Sequence, residues 1–353
     1  MENLFDYATK ELSQDAFIQW FINNYDDEDY GIKDISSTFV NFLMNKNNMS
    51  PISRDVKIVT KSQVSHMDIV IEIYYNGEKK KHDVIVIEDK TFSSEHKQLI
   101  KYNDVISKWD DVENIYKVFY KIGSLTYHDS LGVEAANKEQ NDKWRIYDIN
   151  TIWEFFKDKG NTKSQLLNDY VRYIEHIKKS LEGEDIYKDI AEWKYYEWEG
   201  YVKKYLSHFD IPEKEEYLWL SSYQGKYVSI GYQRCLPNSD DAAVLEINIR
   251  GNSLYTIFHH SFYDGKDESR KWAVKEVKNT DKVHCEKLRD KLLNYTLEVS
   301  NLNNSIELVK SKKAFKCFGK FSKIHVAHNT DELTKVITNL IVSFNDFIDK
   351  YNY

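Results

Sequence analysis

Two acidic residues and a lysine stand near the ends of two neighbouring strand-like segments. Asp68 lies near the start of the alternating stretch MDIVIEIYY, and Glu88 and Lys90 end the β-branched stretch DVIVIEDK. The intervening Asn76-Gly77 is a typical hairpin sequence, so the two segments are expected to pair antiparallel. The start of one strand then lies beside the end of the next, which predicts that Asp68 and Glu88 are neighbours.

A pair of carboxylates in this position provides the oxygen ligands that Mg²⁺ or Mn²⁺ prefers. The backbone carbonyl of Asp89 is the predicted third ligand, and water molecules would complete the coordination. A water activated by a metal ion can attack a phosphodiester. Lys90 follows Glu88 by two residues and projects from the same face, where its ammonium group can orient the water or neutralise charge on the phosphate. The alternative is an ordinary charged strand end without a metal site.

The elements around these residues are predicted to form a mixed α/β domain that covers residues 1–181. Amphipathic patterns predict helices at 11–24 and 32–44, a helix from Ser93-Ser94 to about Trp109, a helix from Thr151, and a helix at 164–181. Strands are predicted at 56–60, 67–75, 83–88, 114–122 and 144–149. This order gives a central sheet covered by helices, and Glu88 falls at the rim of the sheet, where ligands of α/β proteins bind.

The arrangement of acids and lysine resembles the PD-(D/E)xK nuclease superfamily. Its motif is an acid on one strand followed by acid-x-Lys on the next, and Asp68, Glu88 and Lys90 match these positions. Met67 stands in place of the proline that names the motif. The resemblance implies a restriction-endonuclease-like mixed sheet flanked by helices, and it implies DNA as the substrate.

Two helical segments extend the resemblance. Gln98 and Tyr102 have the Gln-x-x-x-Tyr form of the RecB-like branch, in which such residues position the site and the nucleic acid; a spacing of four puts them on one helix face. The segment ELSQDAFIQWFI resembles the opening helix of a PD-(D/E)xK family, which makes Glu11 a metal ligand and Asp15 a weaker candidate. For both acids the alternative is a favourable charge in a first helical turn. Gln14 stands where many relatives have histidine.

The second half, residues 182–353, is predicted to be an α+β domain. Helices are expected at 185–209, 282–299 and 331–351, and strands at 217–220, 227–232, 244–249, 254–258, 307–310 and 314–318. The stretch KSKKAFKCFGKFSK has no acidic residue, and its lysines are candidates for contacts with phosphates, namely Lys312, Lys313 and Lys316. The alternative is a hairpin with its phenylalanines in the core and its lysines in water.

Composition limits the partners and the compartment. The net charge of −8 leaves no basic domain, so a nucleic-acid contact must come from a local patch. Three widely separated cysteines give neither a disulfide framework nor zinc-site spacing, which favours a reducing cytoplasm. No apolar run approaches the roughly 18 residues of a membrane span. The protein is therefore expected to be cytoplasmic and without a membrane partner.

These observations predict a metal-dependent nuclease that hydrolyses DNA phosphodiester bonds, with RNA as the alternative substrate. Glu11, Asp68, Glu88 and the Asp89 carbonyl would bind Mg²⁺ or Mn²⁺, and Lys90 would assist the attacking water. The superfamily suggests a role in restriction or phage defence, and the second domain would bind or select nucleic acid or mediate homo-oligomerisation. The alternative function is a catalytically inactive nuclease-like fold that serves as a binding or regulatory scaffold.

Overall fold

The structure is a computed structural model in which the chain divides into two compact units, Met1–Lys179 and Ser180–Tyr353. The side chain of Glu11 is not among the parts of the chain that the structure describes. The residues that the structure describes are 3–7, 11–25, 31–45, 56–75, 77, 80–93, 95, 97–138, 140–184, 189–211, 216–223, 227–235, 241–251, 253–262, 306–307, 320–325 and 330–351.

A five-stranded mixed sheet forms the centre of the first unit, with the strand order β1-β2-β3-β4-β5. Strand β2 is antiparallel to both of its neighbours, β1 and β3, whereas β4 and β5 run parallel to β3. This confirms the predicted mixed α/β class. The strands are β1 Val56–Val64, β2 Met67–Tyr75, β3 Lys81–Lys90, β4 Val112–Lys121 and β5 Trp144–Tyr147.

Helices cover both faces of this sheet. The central strand β3 is buried on both sides, as its nearly continuous apolar sequence requires. One face packs through Val84 and Val86 against Leu99 of the helix that follows β3. The other face meets an aromatic cluster in which Phe17 stacks on Tyr170 with ring centroids 3.8 Å apart. The helices are α1 Leu4–Tyr7, α2 Glu11–Asn23, α3 Lys33–Leu43, α4 Gln98–Ile106, α5 Tyr127–Asn137, α6 Ile149–Phe156 and α7 Gln165–Leu181.

The start of α4 differs from the prediction. The helix begins at Gln98 and not at residues 93–94, because Lys97 has a left-handed backbone with φ of 64°. The carboxylate of Glu95 accepts the backbone N–H groups of Gln98 and Leu99 at 2.5 and 3.2 Å. This side chain satisfies the first free N–H groups of the helix, so α4 is capped by a residue three positions before its start.

Helix α5 was not among the predicted elements. It begins after Thr126, whose hydroxyl accepts the N–H of Asp129, while the Asp129 carboxylate accepts the N–H of Thr126. This reciprocal pair is a capping box, with aspartate in the place of the more usual glutamate.

A six-stranded antiparallel sheet forms the second unit, in the order β10-β11-β9-β8-β7-β6. Its apolar face includes Ile230 and Leu245 and belongs to the same core as Ile337 and Phe344 of the C-terminal helix. The predicted helix at 282–299 lies outside the described residues, as do most of the predicted strands at 307–310 and 314–318. The elements are α8 Tyr195–Tyr201, β6 Glu216–Tyr223, β7 Tyr227–Cys235, β8 Asp241–Arg250, β9 Ser253–Phe262, β10 Ile306–Glu307, β11 Lys320–His325 and α9 Thr330–Tyr351.

The predicted single helix at 185–209 is wrong. Residues 190–209 comprise a 3₁₀ turn, α8, a π turn at Val202–Leu206 and a second 3₁₀ turn. Asp189 accepts the N–H of Ala191, and the Glu197 carboxylate accepts the N–H of Lys194 at 2.6 Å. Each of these contacts starts a new helical segment, which breaks the run that the sequence pattern indicates. Among the described residues, no helix is both long enough and apolar enough to cross a membrane.

Candidate active site

Asp68 and Glu88 lie opposite each other on paired strands. The antiparallel register pairs Val70 with Val86 and Ile69 with Ile87, so the next pair in this direction is Asp68 and Glu88. Directly opposed residues of antiparallel strands project from the same face of a sheet. The structure thus brings together the two acids at the end of the β2–β3 pair.

Lys90 joins this pair from the last position of β3. Its Nζ lies 2.7 Å from Oε1 of Glu88, and the Glu88 side chain has no exposed surface. The second oxygen of Glu88, Oε2, accepts no hydrogen bond from the described residues. Asp68 is partly exposed, so the pair has one buried acid and one acid at the mouth of the site. An unsatisfied buried carboxylate oxygen is unfavourable unless a proton or a cation neutralises it.

The environment of Glu88 favours its neutral form. Burial, and then the negative charge of Asp68, raises the pKa of the Glu88 carboxyl to about 8 against the opposing effect of Lys90. Glu72 offers a contrast on the same face of the same sheet. Burial also acts to raise the pKa of Glu72, but hydrogen bonds from Lys61 and Tyr74, together with the charge of Lys81, outweigh it and lower the pKa.

Both carboxylate oxygens of Asp68 are held by hydrogen bonds. The backbone N–H of Asp89 donates to Oδ2 at 3.0 Å, and Nε2 of Gln63 donates to Oδ1 at 3.1 Å. The first contact follows from the adjacency of β2 and β3. The second involves Gln63, in the strand on the other side of β2, and sequence reasoning missed this residue because an isolated glutamine in β1 carries no motif.

Helix α4 contributes its predicted pair to the same region. The Tyr102 hydroxyl donates to the carbonyl of His66 at 2.7 Å, and Nε2 of Gln98 lies 3.5 Å from that hydroxyl. Burial and the nearby carboxylate of Glu88 raise the pKa of the Tyr102 phenol. Tyr102 is almost completely buried. It therefore supports the site from within, whereas Gln98 is half-buried and accessible from the solvent side.

The side chain of Asp89 points away from the acid pair, because successive residues of a strand face opposite sides. It is fully buried, and Nε2 of Gln14 in α2 donates to its Oδ1. Burial and the charge of Asp15 raise the pKa of the Asp89 carboxyl well above its usual range. Asp15 thus lies with Asp89 on the face opposite Glu88, and Asp89 can reach a cation beside Glu88 only through its backbone carbonyl.

The remaining predicted site residues are not described in full. Glu11 is the first residue of α2, but its side chain is outside the described part. The three lysines of the basic stretch also lie outside the described residues, namely Lys312, Lys313 and Lys316. Among the described side chains, no three His, Cys, Asp or Glu residues are grouped as metal ligands. Two carboxylates and a backbone carbonyl still fit a hard cation such as Mg²⁺, which usually keeps several of its waters.

A buried ionic network fixes the loop that follows Lys90, and sequence reasoning missed it. Nζ of Lys121 lies 2.9 Å from Oδ2 of Asp129 and donates to the carbonyl of Ser93 at 2.6 Å. The other Asp129 oxygen accepts the N–H of Glu95 at 2.7 Å. Lys121 pairs with Lys90 in the parallel β3–β4 register, so the network lies directly beside the site strand. The Thr-x-x-Asp spacing before α5 was the available signal.

Comparison with protein-family models, with curated proteins and with solved structures gave no match for this chain.

Proposed function

We propose that this protein is a metal-dependent nuclease that hydrolyses phosphodiester bonds in DNA. One observation carries the proposal: Asp68 and Glu88 are opposed on neighbouring strands, and Nζ of Lys90 lies 2.7 Å from Oε1 of Glu88. This is the acid, acid-x-Lys arrangement of PD-(D/E)xK nucleases, assembled on one face at the end of two strands.

The residues suit the roles that such a nuclease needs. Asp68 and Glu88, with the backbone carbonyl of Asp89 and with Glu11 at the start of α2, would hold Mg²⁺ or Mn²⁺. A bound divalent cation would supply Lewis-acid chemistry and lower the pKa of a water. Glu88 would bind the cation as its carboxylate, and the charge of the cation, added to that of Lys90, would offset the burial and the charge of Asp68 that raise the pKa of this group. Lys90 orients the attacking water and offsets negative charge on the phosphate.

The order of elements supports a restriction-endonuclease-like fold for the first unit. A helix precedes three antiparallel strands, and α4 then leads into a strand parallel to β3. On α4, Tyr102 lies beside Glu88 and Gln98 contacts the Tyr102 hydroxyl, which fits the Gln-x-x-x-Tyr pair of the RecB-like branch. The second unit would bind or select the nucleic acid or mediate homo-oligomerisation.

The test is a cleavage assay with linear, circular and single-stranded DNA and with RNA, in Mn²⁺ or in EDTA. Wild-type protein is expected to cut DNA in Mn²⁺ and not in EDTA. Lys90→Ala is expected to lower the rate by roughly 10²–10³-fold, which is typical for removal of a group that stabilises a transition state. Cutting confined to RNA would instead identify a ribonuclease.

Lys81→Ala is the matched control. Lys81 stands at the opposite end of β3, where it pairs with Glu72 at 3.3 Å and Asp111 at 3.1 Å. Its replacement removes a lysine from the same strand without touching the acid pair, so cutting should continue. If no metal supports cutting, or if Lys90→Ala cuts as fast as Lys81→Ala, the nuclease proposal fails. The binding or regulatory scaffold then becomes the better explanation of the fold.

A further inference from the structure

Left-handed backbone is concentrated at the site end of the first sheet. Five non-glycine residues among those described have positive φ, and three of them lie in the β1–β2 hairpin that leads into Asp68. Gln63, Ser65 and His66 have φ of 53°, 52° and 71°, and Lys97 precedes α4 with φ of 64°. L-residues adopt this conformation at a cost in free energy, and such outliers gather at functional sites.

The turn between β1 and β2 accounts for two of these residues. Ser65 and His66 are the two central residues of the hairpin, and positive φ at both is the pattern of a type I′ turn, which usually has Asn-Gly. The Tyr102 hydroxyl holds this turn through the carbonyl of His66. Because Tyr102 also contacts Glu88, the same phenol connects the turn to the buried acid.

Gln63 is outside the turn, so hairpin geometry does not require its left-handed backbone. The β1–β2 register pairs Ser62 with Ile69 and Val64 with Met67, and Gln63 therefore lies opposite Asp68. Its exposed side chain donates to Oδ1 of Asp68 at 3.1 Å. The other Asp68 oxygen accepts a backbone N–H, which no substitution of a side chain removes directly. The Gln63 amide is therefore the hydrogen-bond donor to this carboxylate that a substitution can remove.

We propose that Gln63 is a positioning residue that holds the Asp68 carboxylate in the orientation needed to bind a divalent cation. This role rests on the proposed nuclease function, and it adds a residue of β1 to the candidate metal site. Carboxylates that bind metals are themselves held by hydrogen bonds, and loss of such a partner typically weakens metal binding by about 10–100-fold. The left-handed backbone of Gln63 is the local conformation that accompanies this contact.

Two variants separate the amide from the backbone conformation. Gln63→Gly removes the side chain and accepts the left-handed backbone, so the fold should be retained or become more stable. Gln63→Met keeps nearly the same length but cannot donate a hydrogen bond, and it adds no charge beside Asp68. Ser65→Gly is the control, because it replaces another left-handed residue of the same hairpin with no contact to the acid pair.

Mn²⁺ binding to each full-length protein would be measured by titration calorimetry, alongside the Mn²⁺ concentration that gives half-maximal cutting. Gln63→Gly and Gln63→Met should weaken Mn²⁺ binding by about 10–100-fold, with an unchanged KM for DNA at saturating Mn²⁺. Ser65→Gly should bind like wild type. If wild type binds Mn²⁺ and Gln63→Gly binds it equally well, the role of Gln63 is refuted while the nuclease proposal stands. If wild type neither binds Mn²⁺ nor cuts, both proposals fail.

Discussion

Replacement of Glu88 by glutamine is expected to stabilise the metal-free protein at high pH. Glutamine has nearly the same shape as glutamate, but it carries no charge and does not titrate. The pKa of the Glu88 carboxyl is raised from 4.5 to about 8 in the fold, first by burial and then by the charge of Asp68. Folding therefore favours the protonated acid, and ionisation of Glu88 destabilises the folded state.

The sign and size of the effect follow from this shift. A raised pKa contributes stability that is fully present below pH 4.5 and is lost as the pH rises through about 8. Each pH unit between these values removes up to about 1.4 kcal/mol, so the loss by about pH 9 has an upper limit of about 5 kcal/mol. The increase in stability expected for Glu88→Gln is smaller than this limit, because glutamine cannot keep the ion pair that Glu88 forms with Nζ of Lys90 at 2.7 Å.

The assay is urea unfolding in EDTA between about pH 4 and pH 9, the range over which Glu88 titrates. Hydrogen exchange of β3 peptides would report unfolding of the first unit separately from the second. Glu72→Gln is the matched control, because the pKa of Glu72 is lowered and its contribution has the opposite sign. That variant should be less stable than wild type at neutral pH, with a difference that disappears in acid. A Glu88→Gln effect that is independent of pH would refute the reasoning.

Further predictions concern the cation, the loop after β3 and the basic stretch. Mn²⁺ should raise the melting temperature of wild type, and Asp68→Asn should abolish this rise without unfolding the apo protein, as measured by differential scanning fluorimetry. Gly132→Ala should lower the melting temperature, because a Cβ at this position would lie 2.2 Å from Oε2 of Glu95 and displace the carboxylate that caps α4. Weaker DNA binding and a flatter dependence of affinity on salt, measured by fluorescence anisotropy, are expected after alanine replacement of Lys312, Lys313 and Lys316.

The parts of the site that were predictable are those determined by local sequence. Alternating and β-branched residues specify β2 and β3, and the polar hairpin sequence between them fixes their antiparallel pairing. Together these features place Asp68 opposite Glu88, and the spacing of two residues places Lys90 on the same face. No long-range information is needed for this step, because the register of a short hairpin follows from its turn and its apolar pattern.

The parts that were not predictable depend on contacts between distant residues. The start of α4 is set by Glu95, which Asp129 holds in place from 34 positions further along the chain. The Gln63 contact depends on a left-handed backbone that no propensity of glutamine favours. The capping box before α5 is local, by contrast, and the spacing of Thr126 and Asp129 would have revealed that helix.

The environment of Glu88 supports the proposed metal site over an ordinary charged strand end more strongly than the acid-x-Lys spacing does. Glu88 alternates with Val84 and Val86 on a buried face, where burial and the charge of Asp68 raise the pKa of its carboxyl. An acid with a purely structural role would resemble Glu72 in the interior of β2, which Lys61 and others stabilise as a carboxylate with a lowered pKa. An ionisable group kept where its charge destabilises the protein is typical of functional sites. Lys90 only partly offsets the burial of Glu88, and a bound cation would supply the remaining positive charge, so that part of this unfavourable burial would be recovered as binding free energy.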